Sequence, residues 1–221
     1  MKIEKISCGM ANAYLLHGDN SGILIDTGAK YYKDKVLKQC QNANIRLIVL
    51  THGHFDHCQN AAYLAGKLNC KVGIAREDVP LIENNQKRKV FGRGIWGKLY
   101  ANASNHNIRS NEIERVTPDV ILEKGMSLSE YGINGGIIKL PGHTAGSVGV
   151  LLSSGELFVG DAMQNIILPA KAWCFEDYGR VQESVKLIQT IHAAKIFYGH
   201  GGMTDLKYNI KKIERKREGY F

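Results

Sequence analysis

Thr51-His52-Gly53-His54-Phe55-Asp56-His57 directly follows the apolar run Arg46-Leu-Ile-Val-Leu50, and the reading of this stretch decides the fold. The apolar run reads as a buried strand. If the backbone stays extended past Leu50, His52 and His54 are two residues apart, point to the same side and can hold one ion. Adjacent Asp56 and His57 face differently and can address a neighbouring ion. A two-ion centre follows. Imidazole and carboxylate together suit zinc. Iron, manganese, cobalt and nickel accept the same ligands, so affinity order alone does not choose among them. A lone histidine is usually a satisfied core or surface residue, whereas this clustered pattern favours metal binding.

Working outward, short apolar runs predict strands at Ile3–Ser7, Ala13–His17 and Ile23–Asp26, with Gly18-Asp19-Asn20 as a hairpin turn. Tyr31–Asn42 carries Val36, Leu37 and Cys40 at helical spacing. A second helix is expected over Cys58–Leu68, where Ala61, Leu64, Ala65 and Leu68 recur at three and four, followed by a strand at Lys71–Ala75. The second half repeats the style, with strands at Gly136–Leu140, Val148–Leu152 and Leu157–Val159, a helix at Val181–Ile191 and a strand at Lys195–Tyr198. This alternation makes the chain α/β, and taken alone it admits several α/β folds.

Three later segments repeat one device, in which a strand runs into a glycine turn and then a candidate ligand. They are Pro141-Gly142-His143-Thr144, Phe158-Val159-Gly160-Asp161 and Phe197-Tyr198-Gly199-His200-Gly201-Gly202. Glycine beside the ligand permits the close backbone approach that crowding several side chains around two ions demands.

Together these motifs, running in order from Ile3 to about Thr204, resemble the metallo-β-lactamase-fold hydrolase superfamily. The resemblance implies an αββα sandwich of two mixed β-sheets flanked by helices, with the metals at one edge. It further implies that His52, His54 and His143 hold the first ion, that Asp56, His57 and His200 hold the second, and that Asp161 bridges them. Asp26, in Leu24-Ile-Asp-Thr-Gly28, resembles the strand-end aspartate that sits behind the site and hydrogen-bonds a ligand. The implied chemistry is attack by a hydroxide bridging two zinc ions, with iron or manganese as other occupants, and Asp56 is the expected catalytic residue, orienting the water or moving its proton. True zinc β-lactamases place cysteine or serine where this chain has Asp161, so the resemblance points to the glyoxalase II-like and lactonase-like branch. Glyoxalase II-like thioesterases carry a helical C-terminal domain, whereas 21 residues follow His200 here, which weakens a hydroxyacylglutathione reading. The expected function is hydrolysis of a small ester, thioester or lactone; the alternative is a metal-dependent phosphodiesterase or nuclease acting on nucleic acid.

Composition bounds the remaining choices. The chain has 221 residues, 44% hydrophobic and 23% charged, with a mean hydropathy of −0.22, which excludes a disordered chain. No run approaches the roughly 18 apolar residues of a membrane helix, so no membrane partner is expected. Five cysteines at irregular spacing without a CxxC read as reduced thiols. Because Glu4 and Lys5 interrupt any leader-like start, the cytoplasm is the expected compartment.

A single domain over 1–221 is expected, with a basic insertion at about 83–117 and a short basic C-terminal helix at about 205–218. Net charge is +8. In the insertion Lys87, Arg88, Lys89, Arg93 and Lys98 alternate with Phe91, Trp96 and Tyr100. That pattern fits a cover over an anionic, partly apolar small-molecule substrate, a track for nucleic acid, or a solvated face. Lys171 and Trp173 fall where the resemblance places the substrate mouth, and His17, His106 and His192 are not expected to be ligands. Sequence leaves the oligomeric state open.

Overall fold

The computed structural model describes residues 1–206, so most of the expected C-terminal helix at about 205–218 lies outside the described residues. Its first half is strand-rich. β1 (Lys2–Cys8), β2 (Ala11–His17) and β3 (Gly22–Ile25) pair antiparallel, and α1 (Lys33–Cys40) then leads to β4 (Ile45–Val49). α2 (Phe55–Cys58), α3 (Ala61–Leu68), β5 (Lys71–Ile74), α4 (Val79–Glu83), α5 (Gly94–Ser110) and β6 (Val120–Ile121) follow. β3 through β6 pair parallel, completing a six-stranded sheet in the order β1-β2-β3-β4-β5-β6.

The second half contributes β7 (Gly135–Lys139), β8 (Val148–Leu152), β9 (Glu156–Phe158), the small hairpin β10 (Met163–Gln164) and β11 (Ala170–Lys171), α6 (Tyr178–Thr190), β12 (Lys195–Phe197) and β13 (Thr204–Asp205). β13-β12-β9-β8-β7 form the second sheet, in which only β12 and β9 run parallel.

Side-chain alternation explains the layering. On β2, Tyr14 and Leu16 face one side and Ala13 and Leu15 the other; on β3, Ile23 and Ile25 oppose Leu24. Tyr14, Leu16, Ile23, Ile25, Leu47 and Val49 meet Ile137, Val148, Val150 and Phe158 of the second sheet in the central core. The outer face of the first sheet packs Leu15, Leu24 and Ile48 against Val36 and Cys40 of α1 and Leu64 of α3. Leu140, Leu157 and Val159 meet Ile188 of α6 on the far side. The result is helix, sheet, sheet, helix. Burial on both faces is why these strands read as continuous apolar runs.

One expectation is corrected. The single helix expected over Cys58–Leu68 is broken at Gln59-Asn60, giving α2 and α3. The buried amide of Asn60 donates to the carbonyls of Thr27, Gly28 and Ala29 at 2.9–3.1 Å, and this pulls the chain out of the helical path. The stretch 83–117, expected as a basic insertion, contains a seventeen-residue helix, α5. A small apolar cluster, Ala101 with Tyr100 and Ile108 against Val90 and Cys174, seats it, and amide side chains tie the stretch down. Asn105 pairs in both directions with the backbone of Val90, Asn85 does the same with Ile113, and Phe91 bridges to Phe175 by two backbone bonds.

No helix among the described residues is long and apolar enough to cross a membrane. Leu16, fully buried between the sheets, tests the layering. Leu16→Ala is expected to lower unfolding free energy by about 2–5 kcal/mol at unchanged denaturant slope, as measured by urea denaturation.

Candidate metal centre

All the candidate ligands leave the ends of strands at one edge of the sandwich. After β4 the chain bends at Thr51 and His52, is extended again at His54 (φ −80°, ψ 147°) and then turns into α2. Asp56 and His57 therefore enter the site from one helical turn and not from an alternating strand end, as the extended reading had it. Both still reach it, because neighbours on a helix are about 100° apart and each side chain leans toward the same cleft.

Asp26 organises this loop from behind. It ends β3 with a left-handed φ of 58°, and its carboxylate accepts from Thr51 N and Thr51 Oγ1, both at 2.8 Å. It also accepts from His57 Nδ1 at 2.9 Å. A hydroxyl has one proton, and Thr51 gives it to Asp26. The remaining lone pair of Thr51 then accepts from His52 Nδ1 at 3.1 Å, which leaves His52 Nε2 as a bare acceptor.

The same logic fixes three more rings. His57 Nδ1 is spent on Asp26, His143 Nδ1 donates to the Cys174 carbonyl at 2.8 Å, and His200 Nδ1 donates to the Met10 carbonyl at 2.9 Å. Each presents Nε2 inward. His54 instead offers Nδ1, 2.9 Å from His143 Nε2.

The structure brings all seven sequence-predicted ligands together. Their ligand atoms form three overlapping groups, each with all members within 4.8 Å: His52, His54 and His143; His52, His57 and Asp161; and Asp56, His57 and His200. Asp161 stands between the outer groups, with Oδ2 3.6 Å from His143 and 3.1 Å from His200, and Oδ1 3.5 Å from His57. Asp56 Oδ2 lies 3.5 Å from His200 and 3.7 Å from His57. His17 pairs with Glu4, away from this cluster.

The donor set fits cations. His52 Nε2 and Asp161 Oδ1 are buried without a hydrogen-bond partner, and two imidazole–imidazole approaches, 2.9 and 3.3 Å, set lone pair against lone pair unless a proton or a cation intervenes. Burial, with the neighbouring imidazoles, pushes His52 and His54 well below the usual histidine range, and burial also lowers His143. These three stay neutral, as metal binding requires. His57 and His200 behave oppositely. Burial disfavours their charge, but Asp161 and Asp56, joined by Asp26 at His57, outweigh it and raise His57 to about 10 and His200 to about 9. Asp161 is itself held well below its usual range, since His200 and His57 outweigh its desolvation.

Gly199 has a steric reason. A Cβ there would run into the Asp161 carboxylate and come within 2.8 Å of the His57 ring, so the strand can pass beneath the cluster only as glycine.

The sequence reading missed Asp78. This fully buried carboxylate accepts from Gly53 N and Gly146 N at 3.0 Å, from Thr144 Oγ1 at 2.6 Å and from Arg88. It thereby ties the His52–His57 loop to the loop carrying His143. The available signal was weak: Asp78 lies in the turn Arg76–Asp78 a few residues past β5, on the side where the other strands deliver their ligands. Arg88, read as part of a basic face, turns inward onto Asp78 and lies 2.9 Å from Glu176.

Comparison with known proteins gives the family. The metallo-beta-lactamase superfamily profile matches residues 6–200. A beta-lactamase-like protein 2 homolog of Drosophila melanogaster is 28% identical over 214 residues, covering 92% of this chain and 62% of the relative. The chain thus spans less than two thirds of that relative's length. Hydroxyacylglutathione hydrolase GloC of Haemophilus influenzae is 24% identical over 221 residues, covering 93% of this chain and 92% of the relative. A protein crystallised in a di-iron-bound form matches with a TM-score of 0.69 at 25% identity, over 94% of this chain and 96% of that one.

Cation binding must displace the protons on His57 and His200. Affinity for a divalent cation should therefore rise with pH through the neutral range and level off above about 9 to 10, with release of up to two protons per chain near pH 7. Calorimetric titration in buffers of different ionisation enthalpy measures this. For the cation-free protein the sign is reversed. The stability that these raised groups contribute is complete below about pH 6.5 and lost as pH rises through about 9 and 10. Asp26→Ala should weaken cation affinity by about 10–100-fold in the same titration.

Proposed function

The chain belongs to the metallo-beta-lactamase superfamily, and from that premise we propose that it is a metal-dependent hydrolase with a dinuclear centre, acting on a small ester, thioester or lactone. The observation that carries this reading is the convergence of seven ligand side chains with buried, unpartnered lone pairs at His52 Nε2 and Asp161 Oδ1. His52, His54 and His143 would hold one cation, Asp56, His57 and His200 the other, and Asp161 would touch both. Zinc suits these ligands; iron and manganese suit them as well, and the di-iron form of the similar crystal structure supports keeping iron in view. When bound, such a pair supplies Lewis acidity, making a water acidic near neutral pH and polarising the attacked carbonyl.

The protein's own residues supply the rest. Asp56, with 27% of its side chain exposed, lines the cavity over the cluster and is placed to accept the proton of the attacking water at a carboxylate oxygen. Asp26, the Cys174 carbonyl and the Met10 carbonyl hold Nδ1 of three imidazoles, so that Nε2 of each is aimed at the cluster in advance. α5 roofs the cavity with Ala103, Ser104, Asn107 and Ile108, limiting water access and leaving about 380 Å³ for a small reactant.

A thioester is supported by the GloC relative, a hydroxyacylglutathione hydrolase matched over 92% of its length. The short stretch after His200 therefore does not count against that substrate class. The nucleic-acid alternative, motivated by the net charge of +8, draws less support. Two of the basic residues of the insertion are engaged at home: Arg88 with Asp78 and Glu176, and Lys87 with the Asn111 carbonyl.

A screen of thioesters, lactones, esters and phosphodiesters with metal-loaded protein tests the proposal. Hydrolysis of one of the first three is expected, with kcat/KM reduced more than about 100-fold by His54→Ala or Asp161→Ala. Full activity in both variants, or turnover of phosphodiesters alone, would contradict it.

A further inference from the structure

Two cavities meet at Tyr100. The smaller lies over the histidine cluster; the larger, about 720 Å³, runs beside it between the N-terminal half of α5 and the segment 170–178. Along α5 the lining changes hands. Trp96, Gly97 and Leu99 face the larger cleft, Ala103, Ser104 and Asn107 face the metal cavity, and Tyr100 borders both. The opposite wall divides in the same way. Trp173 and Phe175 line the cleft, while Cys174 between them lines the metal cavity and accepts from His143 through its carbonyl. Tyr100 and Trp173 meet edge to face, with centroids 5.3 Å apart.

The cleft leaves large apolar side chains open, with Trp96 82% and Leu99 55% exposed. Surface of this kind beside a reactive centre marks a ligand groove. Its charge is one-sided, because Arg93 and Lys171 are the charged residues of the lining and both are cationic. Arg93 is held 4.5 Å over the ring of Tyr178.

We infer that this cleft seats the distal part of the substrate, an apolar chain or ring bearing an anionic group, while the reacting carbonyl lies past Tyr100 in the metal cavity. The placement of the carbonyl rests on the hydrolase reading; occupancy of the cleft does not. The apolar lining, the cationic charge and the place of the cleft beside the metal cavity, with Tyr100 in the wall of both, together select an anionic amphiphile. A neutral ligand makes no use of the cationic side chains, and a purely polar one leaves the apolar lining unfilled.

The chain has two tryptophans, Trp96 and Trp173, and both line the cleft, so intrinsic fluorescence reports its occupancy directly. The probes are octanoate, decanoate and dodecanoate below their micellar concentrations, with decanol as the neutral control. The expected result is a saturable fluorescence change whose affinity rises up to about fourfold per added methylene. Decanol should bind more weakly than decanoate. Lys171→Glu should weaken decanoate about two- to fivefold and leave decanol unchanged, and Leu99→Asp should weaken both. No saturable change, an affinity indifferent to chain length, or a response to anionic phosphatidylglycerol vesicles alone would overturn the inference, the last in favour of a membrane surface.

The assay needs no turnover. Chain-length-dependent binding by a protein that hydrolyses no ester, thioester or lactone would support the cleft and count against the hydrolase reading alone. Hydrolysis without such binding would overturn the cleft alone.

Discussion

The lone pairs of five imidazoles and the oxygens of two carboxylates converge in a space where each group of ligand atoms fits within 4.8 Å, and the rest of the structure is arranged around tolerating that convergence. Without cations, the carboxylates of Asp161, Asp56 and Asp26 favour protons on His57 and His200 against the cost of their burial, while His52 Nε2 remains buried without a hydrogen-bond partner. With cations, one charge-balancing device replaces all of these. The sandwich supports this because its strands end along one edge, which lets β4, β9 and β12, with the loop after β7, each deliver a ligand-bearing turn to the same place.

Two carboxylates that are not among the ligand groups make the delivery exact enough to matter. Asp26 fixes Thr51 and His57 from beneath the first sheet, and Asp78 joins Gly53 to Thr144 and Gly146 across the loops of the two sheets. Each replaces water with several short hydrogen bonds in a dry interior, where fixed dipoles act more strongly than in solvent. The apolar layers around Leu16, Ile25 and Phe158 hold the two sheets in register, so packing energy and site geometry are linked through the strand ends.

Much of this was legible in the sequence. Strands buried on both faces announce themselves as apolar runs, and the clustered histidines and aspartate of 52–57 point to metal by themselves; the full set of seven, with Asp26 behind it, came from the resemblance of the ordered motifs to a known family and not from spacing alone. The route of Asp56 and His57 into the site was not legible, because the single turn of α2 over Phe55–Cys58 is too short to leave a helical period, and its end is set by Asn60 binding the distant Thr27–Ala29 carbonyls. α5 escaped for a related reason. It buries little beyond Ala101 and Asn105, and the amide of Asn105 on Val90 takes a place that a hydrophobic period would otherwise mark. Asp78 sat in Arg76-Glu-Asp78 as one acid among others until the fold brought two glycine amides to it. The net charge of +8, a prominent feature of the composition, bears on the approach of substrate and not on the centre itself.

The central claim is that these seven side chains form one two-cation centre. Anomalous diffraction from crystals of the metal-reconstituted protein tests it most directly. The account predicts two peaks per chain, one among His52, His54 and His143 and one among Asp56, His57 and His200, with Asp161 touching both. A single peak, or peaks away from these residues, would contradict it.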